Sequence, residues 1–391
     1  MAEAFINHRM LSWAAERSGM SVSEIADSLK VKIEEVYAWF EGQKRPSFSK
    51  AQAISKKLEI PFAYLYLASP PSMEPNIPDL RTLNNNSKKI LSNNSLEVIK
   101  DAEFKQSWYK EYIISNVSSA PLPFVGKYKV GDISIVSNIK EKIGEDLFSH
   151  RGKNSEEFIR KIILSYEEMG VSVLKSSIVA SNSHRKIPLN DLRGFALSDL
   201  HAPFIFINSS DEEVGQIFTL FHELVHIWLG ESGISDFISD NSHHGKLENF
   251  CNLVAGKILV SSSDLKRNWI ETKENIRNIE DSANALKVSR AVILKRARDE
   301  DYISREDYNK MYKFIYGKKR EKIPSKSDKG GNFYYTLPYR NGRRLTKAVI
   351  SLVQNGDIGA REASQLLNIN ISKVFSKKLQ RNILEEYRWG A

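Results

Sequence analysis

One stretch of the sequence limits the possible folds more than any other, because it is apolar on nearly every face and still contains two histidines and a glutamate. The stretch is VGQIFTLFHELVHIWLG, residues 214–230. A helix that is apolar all round is usually buried in a domain core. Buried ionisable side chains are costly unless they have partners. We therefore predict a buried helix in which His222, Glu223 and His226 contribute to one site.

The spacing of these three residues indicates a metal site. Residues four apart on a helix lie on the same side, so the imidazoles of His222 and His226 can bind one ion. Glu223 points at a different angle, where it misses the ion but can act as a general base on a nearby water molecule. This HExxH pattern is typical of zinc proteases. The alternative is a buried His/Glu hydrogen-bond network without a metal.

A catalytic zinc site needs a third protein ligand and a position left open for water. Glu248 is the best candidate, since it follows His226 by 22 residues and lies on the flank of a second apolar helix, KLENFCNLVAGKILV. Asn252, one turn further on, is predicted to hold the Glu248 carboxylate by a hydrogen bond. Cys251 is expected to belong to the core. Four residues between the two helices remain alternative ligands: Asp236, Asp240, His243 and His244.

The order of predicted elements indicates an α+β fold. A helix at about 154–169 precedes three strands, VSVLKSS, LRGFALSD and APFIFIN, and the HExxH helix follows them. We expect a small antiparallel or mixed sheet in a zincin-like domain, with APFIFIN as an edge strand that could bind an extended peptide. Ser210 to Glu213 form a capping-box pattern that predicts the start of the HExxH helix. Residues 96–150 are expected to form short helices and irregular pieces.

The chain is too long for one ordinary core, so several folding units are expected. A Pro-rich stretch after residue 69 and the polar run SKSDKGGN (325–332) read as linkers. The predicted divisions are a helix-turn-helix domain at 1–70, a linker and helical connector at 71–125, the HExxH domain at 126–282, a helical extension at 283–324 and a basic helical region at 325–391.

The N-terminal segment SEIADSLK, turn, IEEVYAWF has the pattern of a helix-turn-helix, followed by Trp39, Gly42 and Pro46 at W-x-x-G-x-x-x-P spacing. Four residues are candidates for contacts with double-stranded DNA: Lys32, Tyr37, Lys44 and Arg45. Glu34 and Glu35 would repel phosphates, and residues 1–70 have a net charge of only +1. Docking on a protein therefore stays open as the alternative role.

The basic excess of the chain lies at its C-terminal end. Residues 313–391 contain 17 Lys/Arg and 6 Asp/Glu, whereas the whole chain has a net charge of +9. Such a segment can bind nucleic acid or an acidic partner, or form a solvated surface. The segments 283–304 and 357–379 also resemble helix-turn-helix units, although simple helical packing is the alternative. The candidate nucleic-acid contacts here are Arg343, Arg344, Lys347, Lys373 and Lys377.

The composition excludes some classes of protein. The single cysteine rules out an intrachain disulfide. No apolar run approaches the roughly 20 residues that a membrane helix needs, and the N-terminus lacks an apolar signal-peptide centre. We therefore expect a cytoplasmic protein that does not associate with membranes.

The chain resembles the ImmA/IrrE-type metallopeptidases, in particular members fused to an N-terminal Xre-type helix-turn-helix. The segments that carry the resemblance include VYAWFEGQKRPSF, IPDLRTL, LRGFALSD, PFIFINSSDE, QIFTLFHELVHIWLGESGISD and ENFCNLVAGKILV. The resemblance implies Zn²⁺ bound by His222, His226 and Glu248, with Glu223 as catalytic base. One departure is the usual Pro after the second helix, where this chain has Ser261 or Ser262.

The resemblance also implies a regulatory endopeptidase that cleaves a protein such as a transcription repressor, in stress responses or mobile elements. The second interpretation is a DNA-binding regulator or antitoxin-like protein beside a toxin partner, whose peptidase fold serves mainly for binding. The third is a metal-stabilised structural domain, which usually has four protein ligands. The oxyanion donor is left unassigned among the tyrosines, Arg193 and the loop histidines.

Overall fold

The chain divides into two compact units. A computed structural model describes residues 3–58, 60, 62–70, 91–234, 243–317 and 333–384. The first unit comprises Met1–Asn76 and Lys89–Ile99, and the second comprises Ile77–Lys88 and Lys100–Ala391. The boundaries predicted at 126, 283 and 325 all fall inside the second unit. The motif IPDLRTL and the SKSDKGGN linker lie outside the described residues.

The first unit contains short helices that end at well-defined caps. They are α1 (His8–Ser18), α2 (Val22–Leu29), α3 (Ile33–Phe40), α4 (Phe48–Lys57) and a 3-10 helix at Phe62–Tyr66. Ser21 begins α2 through a capping box with Glu24, and Lys30, in the left-handed conformation, ends it. Lys32 is the N-cap of α3. The predicted helix-turn-helix is therefore α2, a short turn and α3.

The apolar residues at helical spacing in this unit form its core. They are Leu11, Ala14, Ala15, Ile25, Ala26, Val36 and Trp39, joined by Ile54, Leu58, Ile60 and Leu65. Leu29 lies at the margin of this cluster and is partly buried.

A long helix precedes the sheet where the sequence indicated only short pieces. Helix α5 (Asn93–Asn116) has 24 residues, and the short helices α6 (Ile135–Ile143) and α7 (Asp146–Ser149) follow it. The buried side of α5 includes Lys105, whose Nζ lies 2.5 Å from the Asp101 carboxylate. A buried lysine interrupts the apolar periodicity from which a long helix would be predicted.

The central sheet is mixed, which confirms the α+β fold class. Helix α8 (Ser155–Met169) precedes the strands β1 (Ser172–Ser176), β2 (Ile178–Val179), β3 (Asn182–Lys186), β4 (Gly194–Leu197), β5 (Phe204–Asn208) and β6 (Gly233–Ile234). The order is β1-β5-β4-β6, with β1 and β5 parallel and the other pairs antiparallel. Strands β2 and β3 form a separate hairpin.

Two details of the sequence analysis are wrong in this region. The strand β5 is not an edge strand, because it pairs with β1 on one side and with β4 on the other. All five of its residues are buried. Unbroken apolar runs are typical of strands covered on both sides. The helix α9 (Glu213–Leu229) begins after Glu212, which makes no side-chain capping bond. The Ser210 hydroxyl instead donates to the Asn208 side chain at 2.6 Å, so no capping box forms.

Helix α9 lies between the sheet and α10 (His243–Leu259) and is buried from Thr219 to Leu229. Gly230 ends α9 in the left-handed conformation. The segment before α6 covers this end, because the backbone amide of Gly126 donates to Ile227 at 3.2 Å and Phe124 stacks on Trp228. The C-terminal end of α9 is therefore held on several sides.

The remaining helices belong to the same unit as the sheet. They are α11 (Ser262–Asn268), α12 (Asn275–Leu286), α13 (Arg290–Asp299), α14 (Arg305–Gly317), α15 (Phe333–Asn341), α16 (Arg343–Asn355), α17 (Ala360–Leu367), α18 (Ile371–Val374) and α19 (Lys377–Leu384). The predicted basic region is thus helical where it is described, and α15 and α16 pack against β1. Across the described ranges, no helix has the length and apolar character needed to cross a membrane.

Candidate metal centre

Helix α9 brings the HExxH residues together in the interior. The side chains of His222, Glu223 and His226 are all fully buried. The two histidines are one helical turn apart, and their Nε2 atoms lie 3.2 Å from each other. Both imidazoles therefore direct a nitrogen at the same point, as the i, i+4 spacing predicted.

Helix α10 supplies the Glu248 carboxylate at that same point. Its Oε2 lies 3.1 Å from His222 Nε2, and its Oε1 lies 3.3 Å from His226 Nε2. Glu248 is fully buried as well. Two imidazole nitrogens and the two oxygens of one carboxylate, supplied by two packed helices, are thus separated by three distances of similar length.

Asn252 orients the imidazole of His222. The Nδ1 atom of His222 lies 3.0 Å from Asn252 Oδ1. An amide oxygen only accepts hydrogen bonds, so the Nδ1 of His222 carries the proton. In the neutral imidazole Nε2 then has a lone pair, which faces the carboxylate of Glu248. The analysis of the sequence had assigned Asn252 to Glu248, whereas the packing of α10 on α9 brings it to the histidine.

The distances within the cluster suit a small tetrahedral ion. Zinc binds histidine nitrogen and carboxylate oxygen at about 2.0–2.2 Å, which puts two donors of a tetrahedron about 3.3 Å apart. The distances in the cluster match this separation. An imidazole whose second nitrogen is hydrogen-bonded is the usual form of a histidine ligand. The residues present therefore fit a divalent metal.

The electrostatics of the cluster keep its carboxylate ionised. Burial by itself raises the pKa of Glu248, but the adjacent His222 and His226 outweigh it and lower the pKa to about 2. Burial is also the largest influence on the pKa of His222, yet the attraction of Glu248 produces a net rise. The centre thus combines a negative charge with two imidazoles, a donor set that suits a divalent cation.

Cys251 offers a second way to complete a three-residue cluster. Donor atoms of His222, His226 and Cys251 all lie within 4.8 Å of one another. The oxygens of Glu248 are closer to the histidines, at 3.1 and 3.3 Å. Burial raises the pKa of the Cys251 thiol well above its ordinary value. Glu248 is therefore the better third donor, and Cys251 packs in the core.

The four alternative metal ligands from the sequence analysis have no described side chains. Asp236 and Asp240 lie outside the described residues, and so do the side chains of His243 and His244 at the start of α10. Arg193, one of the candidate oxyanion donors, bonds to Asp211 at 3.1 Å.

Gly194 on β4 is a residue of the site that the sequence analysis did not single out. A Cβ atom at this position would lie 2.5 Å from the methyl group of Thr219 and 3.0 Å from Oε1 of Glu223. The absence of a side chain thus allows α9 and the Glu223 carboxylate to approach the sheet closely. A glycine inside a predicted strand is the signal for such a close approach.

The candidate DNA contacts of the first unit are on its surface. Lys32, Tyr37, Lys44 and Arg45 are all exposed. The guanidinium of Arg45 lies 3.9 Å from the centre of the Phe5 ring.

One of the two glutamates on α3 is already neutralised. The carboxylate of Glu35 forms an ion pair with Lys50 at 2.6 Å. The charge that would repel phosphates on α3 is therefore smaller than the sequence suggested.

The candidate nucleic-acid contacts near the C-terminal end divide into residues that join two helices and residues that are exposed. Arg343 pairs with Glu167 on α8, and Arg344 donates to the backbone oxygen of the same residue at 3.0 Å. These two arginines join α16 to α8. Lys347, Lys373 and Lys377 are exposed.

The segment 283–304 is part of the core. Arg296 is buried and donates to the Val260 carbonyl at 2.9 Å, and Arg290 pairs with Glu280 at 3.0 Å. Helix packing therefore accounts for the helix-turn-helix-like pattern of this segment.

A buried His-His-Glu cluster thus lies on two packed helices beside a mixed sheet. Residues 167–298 match the peptidase M78 family model, described as the IrrE N-terminal-like domain, and residues 11–65 match a helix-turn-helix model. No curated protein matches the chain. The chain therefore joins an IrrE N-terminal-like domain to an N-terminal Xre-type helix-turn-helix domain.

Proposed function

We propose that the chain is a zinc-dependent endopeptidase that cleaves a regulatory protein such as a transcription repressor. The observation that carries the proposal is the close cluster of donor atoms from His222, His226 and Glu248, with Glu223 on the helix that contains the two histidines. The match to a peptidase family supports the hydrolytic role.

Three protein donors favour a catalytic site over a structural one. Structural zinc sites usually have four protein ligands, and catalytic sites keep a position open. In the described part of the chain, Cys251 is the fourth group that could close the site, and its thiol is strongly biased to the protonated form. We therefore assign the open position to water and substrate.

The roles of the residues follow from their chemistry. When bound, zinc supplies a Lewis acid that polarises the peptide carbonyl and makes a water molecule acidic. Glu223 takes a proton from that water and delivers it to the nitrogen that leaves when the peptide bond breaks. Asn252 holds His222 in the tautomer that presents Nε2. Gly194 leaves the space in which the Glu223 carboxylate lies.

The second candidate is a DNA-binding regulator or antitoxin-like protein, with a toxin as partner. The observation that favours it is the helix-turn-helix domain with Lys32, Tyr37, Lys44 and Arg45 exposed. Both functions can coexist, since the helix-turn-helix could direct the peptidase to a repressor on DNA. Stress responses and mobile elements are the settings that the resemblance implies.

The deciding experiment measures zinc by mass spectrometry in the purified full-length chain. We expect about one zinc per chain. The variants His222→Ala and Glu248→Ala should lose it, whereas Glu223→Gln should keep the metal and lose cleavage of its substrate. Glu274→Ala, an exposed glutamate at 75% side-chain exposure, is the matched control. A parent chain without metal after zinc has been supplied would favour the binding protein instead.

A further inference from the structure

A second concave site lies away from the metal centre in the same unit. It is a cavity of about 820 Å³ between the start of α8, the ends of β1 and β5, the β2–β3 hairpin and α15. Small-molecule sites typically measure about 300–1,000 Å³. None of the metal-centre residues contributes to its wall. The cavity is therefore separate from the site that we propose for peptide hydrolysis.

The wall of the cavity carries an excess of positive charge. Four cationic side chains contribute to it, against the two carboxylates of Glu156 and Glu157. The four are Arg160, Lys175, Lys186 and Arg340. They come from α8, β1, β3 and α15, so the tertiary structure brings them together. Converging cations of this kind favour an anionic ligand.

Lys175 indicates where the anion binds. It lies on β1 and is partly buried, and this burial lowers the pKa of its ammonium group. Within the described ranges its ammonium has no hydrogen bond or close ion pair, and Glu156 and Glu213 act on it only at longer range. An ammonium group at the cavity wall without a close partner is available to pair with a bound anion.

The backbone around Lys175 also favours an anion. The parallel strands β1 and β5 end at the cavity, where Ser176, Ser177 and Ser209 contribute to the wall. Ligands commonly bind at the carboxyl ends of parallel strands. The N-cap residue of the 15-residue helix α8, Asn154, also lines the cavity. The start of α8, with Glu156 and Glu157 in its first turn, therefore borders the same space.

Helix α15 adds an aromatic wall opposite the strands. Phe333, Tyr335 and Tyr339 all line the cavity, and Tyr335 is 51% exposed. Arg340 on this helix lies near the hairpin, with its NH1 3.3 Å from the Ser181 hydroxyl. Aromatic rings beside cations and hydroxyl groups suit a ligand with both a planar ring and phosphate groups.

We propose that this cavity binds a nucleotide, with its phosphates at Arg160 and Lys175 and its base against the aromatic side chains of α15. The volume, the converging cations, the strand ends and the aromatic wall each support this class of ligand. The site is independent of the proposed peptidase activity, because it shares no residue with the metal centre.

The test is isothermal titration of the full-length chain with ADP, with adenosine and with inorganic phosphate. We expect ADP to bind more tightly than either fragment. Lys175→Gln and Arg160→Gln should each weaken ADP binding about tenfold or more, since each removes a charged hydrogen bond to phosphate. The matched control is Lys129→Gln, an exposed lysine outside the cavity. His222→Ala should keep ADP affinity and so separates this site from phosphate binding at a metal.

Three results would overturn the proposal. The first is the absence of ADP binding to the parent chain at millimolar concentration. The second is ADP binding that both cavity variants leave unchanged while thermal unfolding shows them folded. The third is phosphate binding as tight as ADP binding, which would mean a simple anion site. Arg160, on the surface of α8, keeps the test valid if Lys175→Gln does not fold.

Discussion

The hydrogen bond between Asn252 and His222 leads to a quantitative prediction about metal affinity. The Asn252→Ala change removes the acceptor 3.0 Å from Nδ1 of His222. The imidazole then no longer has a fixed tautomer, and its Nε2 presents a lone pair to the centre for only part of the time. Loss of such a partner typically weakens metal binding about 10- to 100-fold, or roughly 1.4 to 2.8 kcal/mol.

The assay is competition for zinc between the purified chain and a chelator of known affinity at constant pH. Asn252→Asp is the conservative variant, because its carboxylate still accepts from Nδ1, and it should keep most of the affinity. Asn284→Ala, an exposed asparagine on α12, is the matched control and should bind zinc like the parent. The reasoning is refuted if Asn252→Ala binds zinc within about twofold of the parent while it remains folded.

Predictions for four further variants concern stability. Gly194→Ala should lower the free energy of unfolding by about 1–3 kcal/mol and reduce cleavage, because the new methyl group collides with Thr219. Gly256→Ala, whose methyl group would lie 3.5 Å from the Arg296 side chain in ordinary contact, should raise stability by up to about 1 kcal/mol. Arg151→Met should cost about 3 kcal/mol or more, because its buried guanidinium donates to three backbone carbonyls. Glu167→Gln should flatten the pH dependence of stability, because burial raises the pKa of Glu167 from 4.5 to about 7 against the opposing effect of Arg343. A folded pKa above the unfolded one means that this contribution is present below about pH 4.5 and is lost as the pH rises to about 7, on the order of 3 kcal/mol in total.

Chemical denaturation measures the effects of all four variants. The glycine prediction fails if Gly194→Ala and Gly256→Ala change stability in the same direction. The arginine prediction fails if Arg151→Met unfolds at the same denaturant concentration as the parent. For Glu167, the comparison is the change in unfolding free energy between pH 5 and pH 8, which should be larger in the parent than in Glu167→Gln. Equal changes would contradict the proposed burial effect.

Local patterns in the sequence were sufficient to predict several elements and part of the candidate site. The i, i+4 spacing placed His222 and His226 on one side of a buried helix, because helical geometry depends only on neighbours along the chain. The same kind of signal predicted the helix-turn-helix and three strands of the sheet. Long α5 was missed, since the buried Lys105 breaks its apolar pattern.

Contacts between distant segments depended on the tertiary structure. The sequence left several residues as rivals of Glu248, and only the packing of α10 on α9 places its carboxylate 3.1 Å from His222. The same packing assigned Asn252 to the histidine instead of the glutamate. The alternation of residues does not reveal which strands are neighbours, so the interior position of β5 could not be read from its apolar run.

The cavity beside Lys175 likewise depends on contacts between segments that are far apart in the sequence. Its cations are separated by up to 180 positions in the sequence, from Arg160 to Arg340, and no local pattern links them. The sequence by itself determined the chemistry that each helix can present, because that depends on residue type and short-range periodicity. The folded structure decided which of these groups meet, because that depends on how helices and strands pack against one another.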